Sequence, residues 1–209
     1  RPAHFVGLYG GLTITVPSLY DIARFYKKTG ILTIAGGQHF AGENIEEALN
    51  ASIDYVVVGE GEETIKELIH AFERRTDVNT VKGIAYKNKE ETVITGQRAP
   101  ISDFDKLPLP DFALVRYAKI KIYPVERIRG CGMNCEFCTV KGKPRCASPQ
   151  RLLDQISRLV ETRNARNFFI VDDLFGQQRD LTIRFCRRLR DYQKKIGRRL
   201  DFTAQIRLD

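Results

Sequence analysis

The 209-residue chain predicts an α/β protein with a doubly wound, Rossmann-like parallel sheet followed by the first part of a partial (β/α) barrel. Three observations lead there. Apolar runs of strand length alternate with amphipathic helical stretches in the first eighty residues. Each of the first three runs ends in glycine, and the same strand–helix alternation resumes after residue 122. Largely apolar strands separated by helices imply a parallel sheet with both faces covered.

HFVGLYG (4–10) is the first such strand. PSLYDIARFYKKTG (17–30) sets Leu19, Ile22, Ala23 and Tyr26 on one helical face and stops at Gly30. ILTIAGG (31–37) is the second strand, NIEEALN a short helix, and DYVVVGEGE (54–62) the third strand. EETIKELIHAFERR (62–75) aligns Ile65, Leu68, Ile69 and Phe72 as an amphipathic helix. Glycines at the carboxyl ends of parallel strands let a ligand approach the backbone where open α/β sheets bind ligands, though tight strand–helix turns also use glycine.

Residues 81–122 change character. GIAYKNKEETVIT reads as a hairpin, and ISDFDKLPLPDFALV, with Pro108 and Pro110, as an extended linker. The expected domains are therefore 1–80, a hairpin and linker over 81–122, and 123–209. In the last, YPVERIRGC is a strand running into a cysteine loop, and Ser148 caps a helix with Pro149 at its first position. Leu152, Leu153, Ile156, Leu159 and Val160 form its buried stripe. NFFIVDDLFG (167–176), RDLTIRFCRRLRDYQKKIG (179–197) and LDFTAQIRLD (200–209) complete βαβαβ, and this unit is expected to continue past Asp209.

At 43% hydrophobic and 29% charged residues the composition is that of a globular protein. No apolar run reaches the roughly 18–20 residues that span a bilayer. Residues 1–110 carry 12 Lys+Arg against 15 Asp+Glu, and residues 111–209 carry 22 against 11. The basic half reads first as a solvated helix face, which makes a nucleic-acid partner unlikely as an expectation. Five cysteines, three of them clustered, favour a reduced metal-binding thiol site and a cytoplasmic location over a disulfide framework.

The cluster is RGCGMNCEFC, with Cys131, Cys135 and Cys138 spaced C-x3-C-x2-C. Structural zinc needs four protein ligands, as does a ferredoxin-type cluster. Three thiolates on a four-iron cubane leave one iron open to a substrate. This motif at the end of a barrel strand, with Phe137 just before the last cysteine, resembles the radical S-adenosylmethionine (radical SAM) superfamily. The N-terminal IAGGQH, DYVVVGEGEETIKEL, hairpin and LPLPDF extend the likeness, over nearly the whole chain, to cobalamin-dependent radical SAM enzymes.

The resemblance implies a 4Fe-4S cluster on Cys131, Cys135 and Cys138, with S-adenosylmethionine (SAM) chelated at the open iron. One electron from an external donor then cleaves SAM to methionine and a 5′-deoxyadenosyl radical. Phe137, Asp172, Asp173, Gln205 and Arg207 are the implied SAM contacts. Cobalamin is implied at Gly10, Gly11, Leu12, Thr13, Gly36, Gly37, Gln38, Gly59, Glu60 and Gly61. The Asp-x-His-x-x-Gly loop of many cobalamin domains is absent from this chain, and its first strand and helix are expected to be missing. The implied reaction is methylation of an unactivated carbon of a small-molecule or peptide substrate. Ring formation or contraction and adenosyl transfer are alternatives with the same cofactors. A non-catalytic zinc module that uses Cys146 as fourth ligand and binds nucleic acid is the alternative of another class.

Overall fold

The computed structural model describes residues 3–133, 135–138, 140 and 142–207. They form two compact units, Arg1–Ile101 and Ser102–Asp209.

The first unit contains β1 (Phe5–Tyr9), α1 (Val16–Lys28), β2 (Leu32–Gly36), α2 (Asn44–Asn50), β3 (Tyr55–Val57), α3 (Glu62–Arg74), β4 (Ile84–Asn88) and β5 (Glu91–Ile94). Its sheet runs β1-β2-β3-β4-β5, with β1 to β3 parallel and the β4–β5 hairpin added antiparallel. Register assigns the two faces. Ala35, Val56 and Ala85 lie side by side and pack under α1 and α2. Ile34, Val57, Ile84 and Tyr86 point the other way and pack under Leu68 and Ala71 of α3. Both faces are covered, as alternation along each strand requires.

The hairpin expected in a connecting segment therefore belongs to this sheet. Its Ile84 and Ala85 are fully buried because they extend both cores across one more strand. Arg98, after β5, ties the exit back to α3 through Thr64 Oγ1 (2.9 Å) and Glu67. In α1 the buried stripe is Val16, Leu19, Tyr20 and Ala23. Ile22, expected on that face, is 46% exposed, since Tyr20 occupies the neighbouring turn position instead.

The second unit contains β6 (Tyr123–Val125), β7 (Ile128–Arg129), β8 (Arg145–Cys146), α4 (Pro149–Arg163), β9 (Asn167–Ile170), α5 (Arg179–Ile196) and β10 (Asp201–Ala204). A parallel sheet runs β10-β9-β6, the start of a barrel, and β7–β8 form a separate antiparallel pair. Phe168, Leu152, Ile156 and Phe185 centre the core. Ser148 caps α4 by accepting from the Arg151 N–H (3.1 Å), and Pro149 stands in its first turn. α5 buries only Phe185 fully, so its arginines and lysines lie along a largely exposed helix.

Residues 102–122 are folded onto this unit rather than extended free. Phe104 is buried, Phe112 meets Tyr123 edge-on at 5.4 Å, and Asp103 and Asp111 each cap a short turn. Asp105 accepts from the Ser148 N–H at 2.9 Å, and Arg151 donates to the carbonyls of Asp105 and Pro108. The prolines set an extended path, while the aromatic anchors between them fix where it lies.

Candidate functional site

The cysteine loop leaves β7 and returns through β8. Ile128 pairs with Cys146 and Arg129 with Arg145, so the loop is closed at its neck. The Arg129 and Arg145 guanidiniums both stand over the Phe104 ring, at 4.9 and 5.3 Å from its centre. Such cation–π contacts are each worth about 0.5–2 kcal/mol. Gly130 takes φ +84°, and a Cβ there would come within 3.2 Å of the Lys143 carbonyl oxygen. Glycine at this position lets the two sides of the loop approach each other.

Cys131 and Cys138 are half-buried and Cys135 is exposed, and none of the three is in a disulfide. The Cys138 N–H donates to the Cys135 carbonyl (3.2 Å), making a turn of the last C-x2-C. Phe137 is 92% exposed. Among the described residues no three His, Cys, Asp or Glu side chains converge to metal-ligating reach. The donor set nevertheless suits a thiophilic cluster: three thiols on one loop, closed at its neck by the β7–β8 pair. Cys146 lies apart in β8, where burial pushes its thiol pKa up and the Arg127 charge opposes that rise.

Of the residues expected around SAM, Asp173 and Arg207 contact this loop. Asp172 and Asp173 follow β9, and the Asp173 carboxylate accepts from the Gly130 N–H at 2.6 Å. Arg207, beyond β10, donates to the sulfur of Met133 inside the loop (3.2 Å). The carbonyl of Gln205 accepts from the Phe175 N–H (2.9 Å). Asp172 departs from the expectation. It is 1% exposed, and its Oδ1 accepts from the Arg127 and Ile128 N–H groups at 2.6 and 2.9 Å. Its carboxylate fixes backbone instead of facing a ligand, and burial raises its pKa against the opposing pull of those hydrogen bonds.

Three polar residues not singled out from sequence build the wall behind the loop. Gln155 of α4 clasps the Glu126 backbone, accepting from its N–H (3.1 Å) and donating to its carbonyl (2.7 Å). Arg127 is 1% exposed and donates to the Gln177 carbonyl (3.2 Å) and to Thr182 Oγ1 (3.1 Å). The Gln177 side chain donates to the Cys131 carbonyl. The available signal was a polar residue inside an apolar pattern: Arg127 after the YPV strand and Gln155 in the α4 stripe. Gln177 carried none.

In the first unit the glycines expected at cobalamin divide in two. Gly10 and Gly37 hold adjacent loops together: the Gly10 N–H donates to the Gly36 carbonyl (2.8 Å) and the His39 N–H to the Gly10 carbonyl (3.0 Å). Gly37 takes φ +122°, and a Cβ on it would lie 2.6 Å from the Gly10 oxygen. Gly36 lines up with Val57 and Ile84 on the α3 side of the sheet. Leu12, Thr13, Gln38 and Gly59 are exposed at the carboxyl ends of the parallel strands, with Gly11 and Gly61 half-exposed. Glu60 is engaged, its carboxylate accepting from the Ile101 N–H (2.6 Å). His39, whose Nδ1 lies 3.2 Å from Thr13 Oγ1, has a buried Nε2 without a partner.

No described helix is long and apolar enough to cross a membrane. No family model matches the chain. It is 29% identical to an uncharacterized methyltransferase of Pyrococcus horikoshii, over 95% of this chain and 46% of that protein. It is 28% identical to the anaerobic magnesium-protoporphyrin IX monomethyl ester cyclase of Cereibacter sphaeroides, over 83% of this chain and 31% of that one. The chain thus spans less than half the length of these curated relatives. Among solved structures it superposes on the radical SAM methyltransferase TsrM of Kitasatospora setae with a TM-score of 0.75 at 16% identity, covering 93% of this chain and 41% of that one. The cobalamin-dependent radical SAM enzyme OxsB gives 0.68 at 21% identity, over 96% and 30%. In sequence the chain is similar to a methyltransferase and a cyclase, and in fold it is similar to two solved radical SAM enzymes, one of them described as cobalamin-dependent.

Proposed function

We propose that this chain supplies the cobalamin-binding unit and the first part of the barrel of a radical SAM methyltransferase. The observation that carries the reading is the tethered loop bearing Cys131, Cys135 and Cys138, set where β6 and β9 end, with Asp173 and Arg207 against it. Active sites of such barrels lie at the carboxyl ends of the strands. The three thiols would hold a 4Fe-4S cluster, with Phe137, Gln205 and Arg207 on the side open to SAM. Asp173 positions the loop through Gly130, and Asp172 positions the strand that leads to it.

When bound, the cluster and SAM supply a one-electron cleavage that makes a substrate radical, and cobalamin supplies the methyl carrier. The chain itself orients these groups and limits water. In the first unit, Leu12, Thr13, Gln38 and Gly59 would face the corrin, on loops whose backbones Gly10 and Gly37 bring together. The orphaned Nε2 of His39 suits a polar group of that ligand. The substrate is read as a small molecule or peptide, and the electron as coming from an external donor.

The test is electron paramagnetic resonance of the anaerobically reconstituted, reduced protein. Adding SAM should shift the cluster signal, because its amino and carboxylate groups occupy the open iron. A cluster signal indifferent to SAM would remove the radical assignment.

A further inference from the structure

Behind the cysteine loop lies a buried polar set that neither cluster ligation nor SAM binding uses. Arg127 is among the most buried side chains of the protein, yet its Nε and Nη1 lack hydrogen-bond partners. Asp172 Oδ2 and Gln177 Oε1 are likewise buried and unsatisfied. Buried charges and unpaired polar atoms are costly, and their retention points to a task. Among the described residues, the direct link from this set to the thiol loop is the Gln177 side-chain amide, donated to the Cys131 carbonyl.

The backbone behind that link is under tension. Gln178, at the start of α5, holds a left-handed conformation with φ 53°, unusual for a residue with a side chain. It is kept there by hydrogen bonds on both sides. Arg127 Nη2 and Thr182 Oγ1 both donate to the Gln177 carbonyl, at 3.2 and 3.1 Å. The Leu181 and Thr182 N–H groups donate to the Gln178 carbonyl, at 2.9 and 3.1 Å. Arg127 in turn is held by its own main chain, whose N–H is capped by Asp172. The chain of contacts therefore runs from the barrel floor through Arg127 and Gln177 to the first cysteine.

We infer that Gln177, braced by Arg127 and Thr182, is the positioning residue that fixes Cys131 for metal binding. This rests on the reading of Cys131, Cys135 and Cys138 as cluster ligands. Outer contacts of this kind orient a ligand by its backbone and slow its release from the metal. The loop's other tethers act at the neck, through Phe104, at Gly130, through Asp173, and at Met133, through Arg207. The contact at Cys131 is made directly to a proposed ligand residue by a side chain from another element.

The test uses Gln177→Met, which keeps length and neutrality but cannot donate. Thr182→Val is the second variant and removes the hydroxyl that donates to the Gln177 carbonyl and accepts from Arg127. Each protein is reconstituted with iron and sulfide, and iron release to a chelator is timed beside the melting temperature of the metal-free form. Gln177→Met should release iron about tenfold faster, within the range typical of lost outer-shell partners, with the metal-free melting temperature unchanged. Thr182→Val should move release in the same direction by less. Release at the wild-type rate from both variants overturns the inference, as does faster release matched by a general loss of stability. Wild-type protein that takes up no iron overturns the cluster reading, and this inference with it.

Discussion

Replacing Gly37 by alanine should unfold the first unit far more readily than replacing its neighbour Gly36. The two glycines look alike in IAGGQH, but their surroundings differ. At Gly37 φ is +122°, where a side chain adds strain of about 1–3 kcal/mol. The new Cβ would also lie 2.6 Å from the Gly10 oxygen and 2.8 Å from its carbonyl carbon. Backbone cannot swing aside as a long side chain can, so the overlap adds about 1–3 kcal/mol more. A total near 4 kcal/mol lowers the melting temperature of a unit of about 100 residues by ~15–30 °C. At Gly36 the nearest atom to a new Cβ is Val57 Cβ at 3.4 Å, ordinary contact, and alanine there should change stability by about 1 kcal/mol or less. Calorimetry on the whole chain compares the two directly. Equal melting of the two variants would refute the claim that Gly37 is held by the Gly10 backbone.

Asp172→Asn should alter how stability depends on pH. Burial raises the Asp172 pKa from its ordinary value of 3.8, so the native protein keeps that proton to higher pH than the unfolded chain does. The site's contribution is complete below pH 3.8 and is lost as pH rises through the raised value. Urea midpoints should therefore show the advantage of wild type over Asp172→Asn shrinking as pH rises across that window; an advantage that grows would contradict the burial argument. Ser148→Ala removes the cap on the Arg151 N–H and should cost about 1 kcal/mol, seen as a melting shift of ~4–8 °C in a unit of about 100 residues. A melting curve identical to wild type would show that the cap adds nothing.

How much was legible in the sequence follows the range of the interactions. Periodicity and capping are local, so the bounds of α3 and α5 and the start of α4 emerge from the chain within a residue or two. The cysteine loop and the acids after β9 were legible because residue type and spacing carry the chemistry. What Asp172 and Asp173 touch was not, since their partners lie more than forty residues away across two strands. The β4–β5 hairpin was visible as a hairpin but not as part of the first sheet, because pairing with β3 is decided by the shared cores. Residues 102–122 read as linker because proline patterns are local, whereas Phe104 and Phe112 find their partners only in the folded unit. Gly36 and Gly37 could not be told apart, since their difference is the approach of one distant carbonyl.

The central claim is that Cys131, Cys135 and Cys138, without Cys146, hold a four-iron cluster. The measurement is iron and zinc content per chain after anaerobic reconstitution of wild type and the four single cysteine-to-alanine variants. The account predicts about four irons and little zinc in wild type and in Cys146→Ala, with the cluster lost from each of the other three. Stoichiometric zinc in wild type that disappears in Cys146→Ala would contradict it.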